Sequence, residues 1–205
     1  MSAGCSHCPD EVRDTDLRRV LWAVLAVNAT MFVVEGTSGL LSSSMALQAD
    51  SVDFLGDSLT YAVSLMVIAR PIAWRAGAGI GKGLAMGAFG AAVFLATMLR
   101  AFEPGAPAAA TMGVVGLLAL MANVGCAAAL FRYRGRDSNM RSVWLCSRND
   151  GINNLAVLVA AGAVFVTASR WPDLLVGFGL ALLALTTAWQ IIRQATGELR
   201  QAPPG

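Results

Sequence analysis

Residues Ala46 to Thr60 read ALQADSVDFLGDSLT, and three carboxylates, Asp50, Asp53 and Asp57, stand there among residues that are otherwise mostly apolar or small. The run continues without a charge through YAVSLMVIA to Arg70. A helix from about Met45 to about Ala69 has the length a bilayer crossing needs. Positions three and four apart share one helix face, so the three aspartates point the same way. A carboxylate in hydrocarbon is costly, so that face must look onto a partner, water or an ion. Protonated or helix-capping carboxylates without a ligand are the competing reading.

Working outward, the 205 residues are 56% hydrophobic and 14% charged, with a mean hydropathy of +0.61. The apolar residues come in long blocks, which excludes an ordinary soluble domain and marks a polytopic membrane protein. The first sixteen residues are polar, and no cleavage site follows the first apolar run, so no cleavable signal peptide is expected. A net charge of +2 does not point to nucleic acid.

The blocks predict an all-α integral membrane protein of six transmembrane helices. The expected spans are about Leu17–Leu41, Met45–Ala69, Gly83–Leu99, Ala108–Phe131, Ser142–Ala168 and Leu174–Ile192. This divides the chain into an N-terminal tail (1–16), a six-helix domain (17–194) and a C-terminal tail (195–205). RPIAWRAGAGIGK after Ala69 reads as a basic loop broken by Pro71 and glycines. Gly83 and Gly87 have the GxxxG spacing that permits close helix contact, in a dimer seam or within the bundle. Arg13, Arg18, Arg19, Arg70, Arg75, Lys82, Arg132, Arg134, Arg136, Arg141, Arg193 and Arg200 all fall on one side of such a bundle, against only Arg100 and Arg170 on the other. The positive-inside rule then places both termini in the cytoplasm.

Asp53 and Asp57 are spaced i,i+4 on the second span, and Cys146 and Asp150 are spaced i,i+4 on the fifth. Each pair projects two ligands from one helix face, as helix-borne metal sites do. Three carboxylates and one thiolate suffice for a tetrahedron around a divalent transition metal. Because the ligands must deprotonate first, metal and protons compete for the same groups, the minimal basis of an antiporter. A proton relay without metal, with Cys146 a small core residue, is the alternative. Arg148 falls on the opposite side of the fifth span, where it could pair with Glu35 or Asp50 or reach the cytoplasmic surface. Asn149, Asn153 and Asn154 are supporting donors or interhelical bonds. Glu35 and Asp50 could shape a water-filled approach, with Glu35 near the outer interface as the bland reading. Cys126 reads as a plain buried residue. Cys5, His7 and Cys8 could capture metal on the cytoplasmic side or be incidental thiols in a disordered tail.

The stretch FVVEGTSGLLSSSMALQADSVDFLGDSL, with Glu35, an SxSxAL leading into an Asp, and a ligand-xxx-Asp pair, resembles the cation diffusion facilitator family of zinc, cadmium, cobalt, iron and manganese exporters. That resemblance covers almost the whole chain. It implies that Asp53, Asp57, Cys146 and Asp150 bind the transported ion, although Cys146 stands where His or Asp is usual. It also implies proton-driven export by alternating access, a homodimer, and residence in the bacterial inner membrane. The family usually adds a cytoplasmic ferredoxin-like domain after the sixth span, and only Arg193–Gly205 follows here, so a short form is expected. The loop before the fifth span has no His-rich insert. The thiolate tilts preference toward zinc, cadmium or cobalt over manganese or magnesium. The rival is a membrane metal sensor or accessory protein that binds without transporting. An enzyme is disfavoured, since the single histidine, His7, lies outside the spans and no nucleophile–base arrangement is visible.

Overall fold

The computed structural model describes residues 8–67, 72–133 and 138–201; within these, the side chains of 8–15, 67, 72, 73, 75, 138–143, 145, 146 and 201 are outside the description. Among the described residues there are six helices: α1 (Cys8–Ser42), α2 (Met45–Val67), α3 (Ile72–Arg100), α4 (Ala109–Phe131), α5 (Ser138–Thr167) and α6 (Trp171–Gln201). The protein is an all-α, multi-pass membrane protein. Parts of α1, α3, α4, α5 and α6 are long and apolar enough to cross a bilayer. The 23-residue α2 is not in that set, because Asp50, Asp53 and Asp57 interrupt its apolar run. It is also the helix that touches each of the other five. The helix that carries the row of aspartates therefore sits at the centre.

The inside is more polar than the outside. Asn28, Glu35, Asp50, Asp57, Asn123, Ser147, Asn154 and Asp173 are buried, whereas Leu40, Leu41, Phe165, Val166 and Leu175 are exposed. In water this would be an inverted protein. In hydrocarbon the outer apolar side chains need no cover, and the polar ones satisfy one another within. An apolar layer built from Ala46, Leu47, Ala49 and Val52 of α2, Val157, Ala160, Ala161 and Val164 of α5, and Leu180, Ala181 and Ala184 of α6 holds the bundle together on one side of the polar residues.

The turn from α1 to α2 is tight. Ser43 takes φ 57°, and Ser44 N donates to Gly39 O at 2.9 Å while Ser43 N donates to Leu40 O at 3.3 Å. This pattern closes a helix on a left-handed residue and satisfies its last carbonyls. A Cβ on Gly39 would lie 2.9 Å from Gln48 N, so glycine there permits α1 and α2 to meet.

Several helices outrun their apolar stretches. α1 begins at Cys8 rather than Leu17, and α6 continues to Gln201 rather than stopping at Ile192. The basic segment after Pro71 was expected to be a loop but is helical from Ile72. Its Gly79 begins a line of close contacts with α6. Gly79, Gly83, Gly87 and Gly90 form a stripe against Ala195, Ile192, Ala188 and Ala184 of α6; a Cβ on Gly83 would lie 2.5 Å from Ile192 Cγ1. Glycine is a poor helix former but allows this approach, and tertiary packing overrides its propensity. The GxxxG pair is thus used inside the bundle. Cys5, His7 and the Cys8 side chain lie outside the described residues, as do Arg70, Arg134, Arg136 and Pro71.

Candidate functional site

The polar residues of α2 face α1, α4 and α5 in successive turns. Nearest the C-terminal half of α2, the buried Tyr61 hydroxyl donates to Asp57 Oδ2 at 3.1 Å and lies 2.9 Å from Ser147 Oγ of α5. The carboxyl groups of Asp57 and Asp150 lie within hydrogen-bonding reach of each other. This is the point at which the acidic faces of α2 and α5 meet. Behind it, Asn28 Nδ2 of α1 donates to Val24 O at 2.8 Å and contacts Cys126 Sγ of α4 at 3.7 Å. From α3, Lys82 Nζ donates to Thr60 Oγ1, one turn from Asp57. Its charge is close enough to attract both Asp57 and Asp150.

One turn toward the start of α2, Asn153 Nδ2 donates to Asp53 Oδ2 at 2.9 Å. Another turn on, Asn154 Nδ2 donates to Asp50 Oδ2, and Asn154 Oδ1 accepts from Asn123 Nδ2 at 2.9 Å. Asp50 and Glu35 are fully buried, so Glu35 belongs to the interior and not to the outer interface. Adjacent asparagines on α5 thus serve two successive aspartates on α2. This works because Asn153 and Asn154 sit about 100° apart around the helix and flank the line of contact.

Asp53, Asp57 and Asp150 therefore share one interior. Cys146 belongs to α5 one turn before Asp150, but its side chain lies outside the described residues. Among the described residues, no three His, Cys, Asp or Glu side chains are close enough together to hold a metal ion. The carboxylates are strung along α2 rather than closed into a tetrahedron. Arg148 is exposed, 5.5 Å over the Trp144 ring and bonded to Asn149 Oδ1 at 3.1 Å, so it pairs with neither Glu35 nor Asp50. Asn149 is exposed and not a supporting donor, whereas Asn153 and Asn154 are. Cys126 is buried, as expected.

Tyr61, Ser147, Lys82 and Asp173 lie outside the set of site residues that ligand spacing picks out. Tyr61 had one local signal, its i,i+4 spacing from Asp57. Asp173 falls between the fifth and sixth expected spans but stands on the first turn of α6, where its carboxylate accepts from Ser44 Oγ, Met45 N and Ala46 N at 2.6, 2.8 and 3.0 Å.

A central helix with a row of carboxylates, met by an acid and amide donors from a facing helix inside a lipid-facing bundle, defines a membrane protein with a cation-attracting interior. Residues 21–199 match the cation efflux transmembrane domain family, and the chain belongs to that family of transporters. It is 26% identical to the zinc transporter ZitB of Yersinia pestis, over 94% of this chain and 65% of the relative. To the zinc transporter ZitB of Escherichia coli it is 26% identical, over 97% of this chain and 66% of the relative. To the metal cation efflux system protein CzcD of Cupriavidus metallidurans it is 24% identical, over the whole of this chain and 67% of the relative. The chain thus spans 65–67% of the length of these three relatives.

Proposed function

We propose that the protein exports a divalent transition metal, with zinc, cadmium or cobalt as cargo, across the cell membrane in exchange for protons. One observation carries the reading: Asp57 of α2 and Asp150 of α5 meet in the bundle interior, with Asp53 one turn away and held by Asn153. Asp53, Asp57, Cys146 and Asp150 take the ion. The names of the ZitB and CzcD relatives support a metal cargo. Three carboxylates and a thiolate carry more negative charge than a divalent ion neutralises, and each must be deprotonated to bind, so cargo and protons exchange. Binding draws the α2 and α5 pairs together around the ion, and alternating access follows as these helices rearrange. The protein works as a homodimer with both termini in the cytoplasm.

The test is metal uptake into inside-out proteoliposomes with an acidic lumen, so that protons leave as metal enters. Zinc, cadmium, cobalt, nickel and manganese are compared in wild type, Asp57→Ala and Cys146→Ser. Proton-driven uptake that Asp57→Ala abolishes supports the exporter. Tight metal binding without flux under any gradient would refute it.

A further inference from the structure

Five buried side-chain atoms among the described residues lack a hydrogen-bond partner, and all five are oxygens: Asn28 Oδ1, both carboxyl oxygens of Glu35, Asp50 Oδ1 and Asn123 Oδ1. No buried side-chain nitrogen among the described residues shares that condition. The interior is short of donors, and a positive ligand corrects such an imbalance. Four of these oxygens belong to one connected group. Asn123 Nδ2 donates to Asn154 Oδ1, and Asn154 Nδ2 donates to Asp50 Oδ2. The Asp50 carboxyl in turn lies within hydrogen-bonding reach of the Glu35 carboxyl. Glu35, Asp50 and Asn154 are 0% exposed.

Two ionised carboxylates in that position would present lone pair to lone pair, buried in a membrane protein. Like charges at such range cannot both persist, and carboxyl pairs of this kind share a proton. One proton turns the contact into an acid–carboxylate hydrogen bond, which is strong, and satisfies an oxygen on each side. We propose that Glu35 and Asp50 form a proton-binding site, distinct from the Asp53–Asp57–Cys146–Asp150 quartet, that holds one proton while the quartet is empty and releases it as H⁺ when cargo binds.

The link to cargo is geometric. Asp50 is one turn from Asp53 on α2, and the neighbouring Asn154 and Asn153 tie both to the same turn of α5. A cation at Asp53 favours the charged form of the nearby pair by Coulomb attraction, so the proton leaves. The other ionisable groups around the pair are Asp53 and Asp57 on α2, Asp150 on α5 and Lys82 on α3, with Asp173 of α6 engaged at the start of α2. From α4 comes the neutral Asn123, whereas the Cys126 thiol of that helix contacts Asn28 instead. The enclosure admits a proton along hydrogen bonds, whereas a hydrated metal ion meets no open surface at Glu35 or Asp50. The site's existence stands on these contacts, and only its coupling to cargo rests on the exporter reading.

The full chain in nanodiscs tests both parts. Infrared spectra of the metal-free protein across pH should show a protonated-carboxyl band near neutrality that Glu35→Gln and Asp50→Asn each remove. In either variant the amide replaces the shared proton as a permanent donor, so the second reads the same pair if the first misfolds. Zinc titration calorimetry in buffers of different ionisation enthalpy should give about one fewer proton released per zinc in Glu35→Gln, with zinc stoichiometry unchanged. A band that survives in both variants overturns the site, and equal proton release overturns its coupling. A drop from two zincs per chain to one would make the pair a metal site instead and also overturn the proposal. If wild type neither binds nor moves zinc, the exporter reading fails, while the infrared band still decides the pair.

Discussion

Asp173 on the first turn of α6 caps α2 at Ala46: the Ala46 N–H donates to Asp173 Oδ1 at 3.0 Å, next to Met45 N–H on Oδ2 at 2.8 Å. The first N–H groups of a helix have no partner within it, and these two are buried. Ser44 Oγ supplies the third by accepting from Leu47 N at 3.2 Å. The helix that carries the aspartates is therefore anchored at its start by a carboxylate from the last helix. Asp173→Ala should destabilise by about 2–4 kcal/mol, since it leaves two buried backbone donors and the Ser44 hydroxyl without their acceptor. Asp173→Asn keeps an acceptor and should cost less. Thermal unfolding in detergent checks the order, and an Asp173→Ala midpoint equal to wild type would remove the anchoring role.

Gly177, one turn after Asp173, tests the same contact by shape. A Cβ there would lie 2.7 Å from Met45 C and 2.9 Å from Ala46 N, both backbone atoms that cannot rotate aside. Gly177→Ala is predicted to destabilise by about 1–3 kcal/mol, despite alanine's better helix propensity. Gly179→Ala meets nothing within 4 Å and should be neutral or slightly stabilising. Similar unfolding midpoints for the two variants would contradict the packing.

Asn154 joins α2, α4 and α5 through Asp50 and Asn123. Asn154→Ala strips a donor from Asp50 and an acceptor from Asn123, both buried, and should cost about 2–5 kcal/mol. Asn149→Ala, on the exposed side of the same helix, should lie within about 0.5 kcal/mol of wild type. Denaturant or thermal curves of the two variants side by side check this contrast.

Lys82 holds a positive charge near the meeting point of Asp57 and Asp150. A divalent cation arriving there is repelled by it. Lys82→Gln is predicted to tighten zinc binding about three- to tenfold, the equivalent of about 1 kcal/mol of charge repulsion at partly screened range. Equal or weaker zinc affinity by calorimetry would show that the ammonium does not oppose the cargo.

If the Cys146 thiolate joins the cargo site, Cys146→Ser replaces a soft ligand by a hard one. Cadmium transport should then fall more than zinc, and zinc more than manganese, because softness governs that order. Vesicle uptake rates for the three metals measure it, and an unchanged preference places Cys146 outside the ion's reach.

The run ALQADSVDFLGDSLTYAVSLMVIA by itself determined a helix of about membrane length with Asp50, Asp53 and Asp57 on one face, because helical periodicity is a local property. The apolar blocks likewise set the six-helix architecture, and the i,i+4 spacing of Cys146 and Asp150 pointed to the facing helix. Helix ends were less legible, since α3 continues back to Ile72 while its glycines from Gly79 onward pack against α6. Tertiary structure alone decided that Glu35 meets Asp50, that Asn153 and Asn154 divide their amides between two aspartates, and that Arg148 turns away onto Trp144. It also decided that Asp173 closes the start of a helix 127 residues earlier in the chain. A side chain's own sequence sets the direction in which it leaves its helix, but its partner depends on which other helix packs there and in what register.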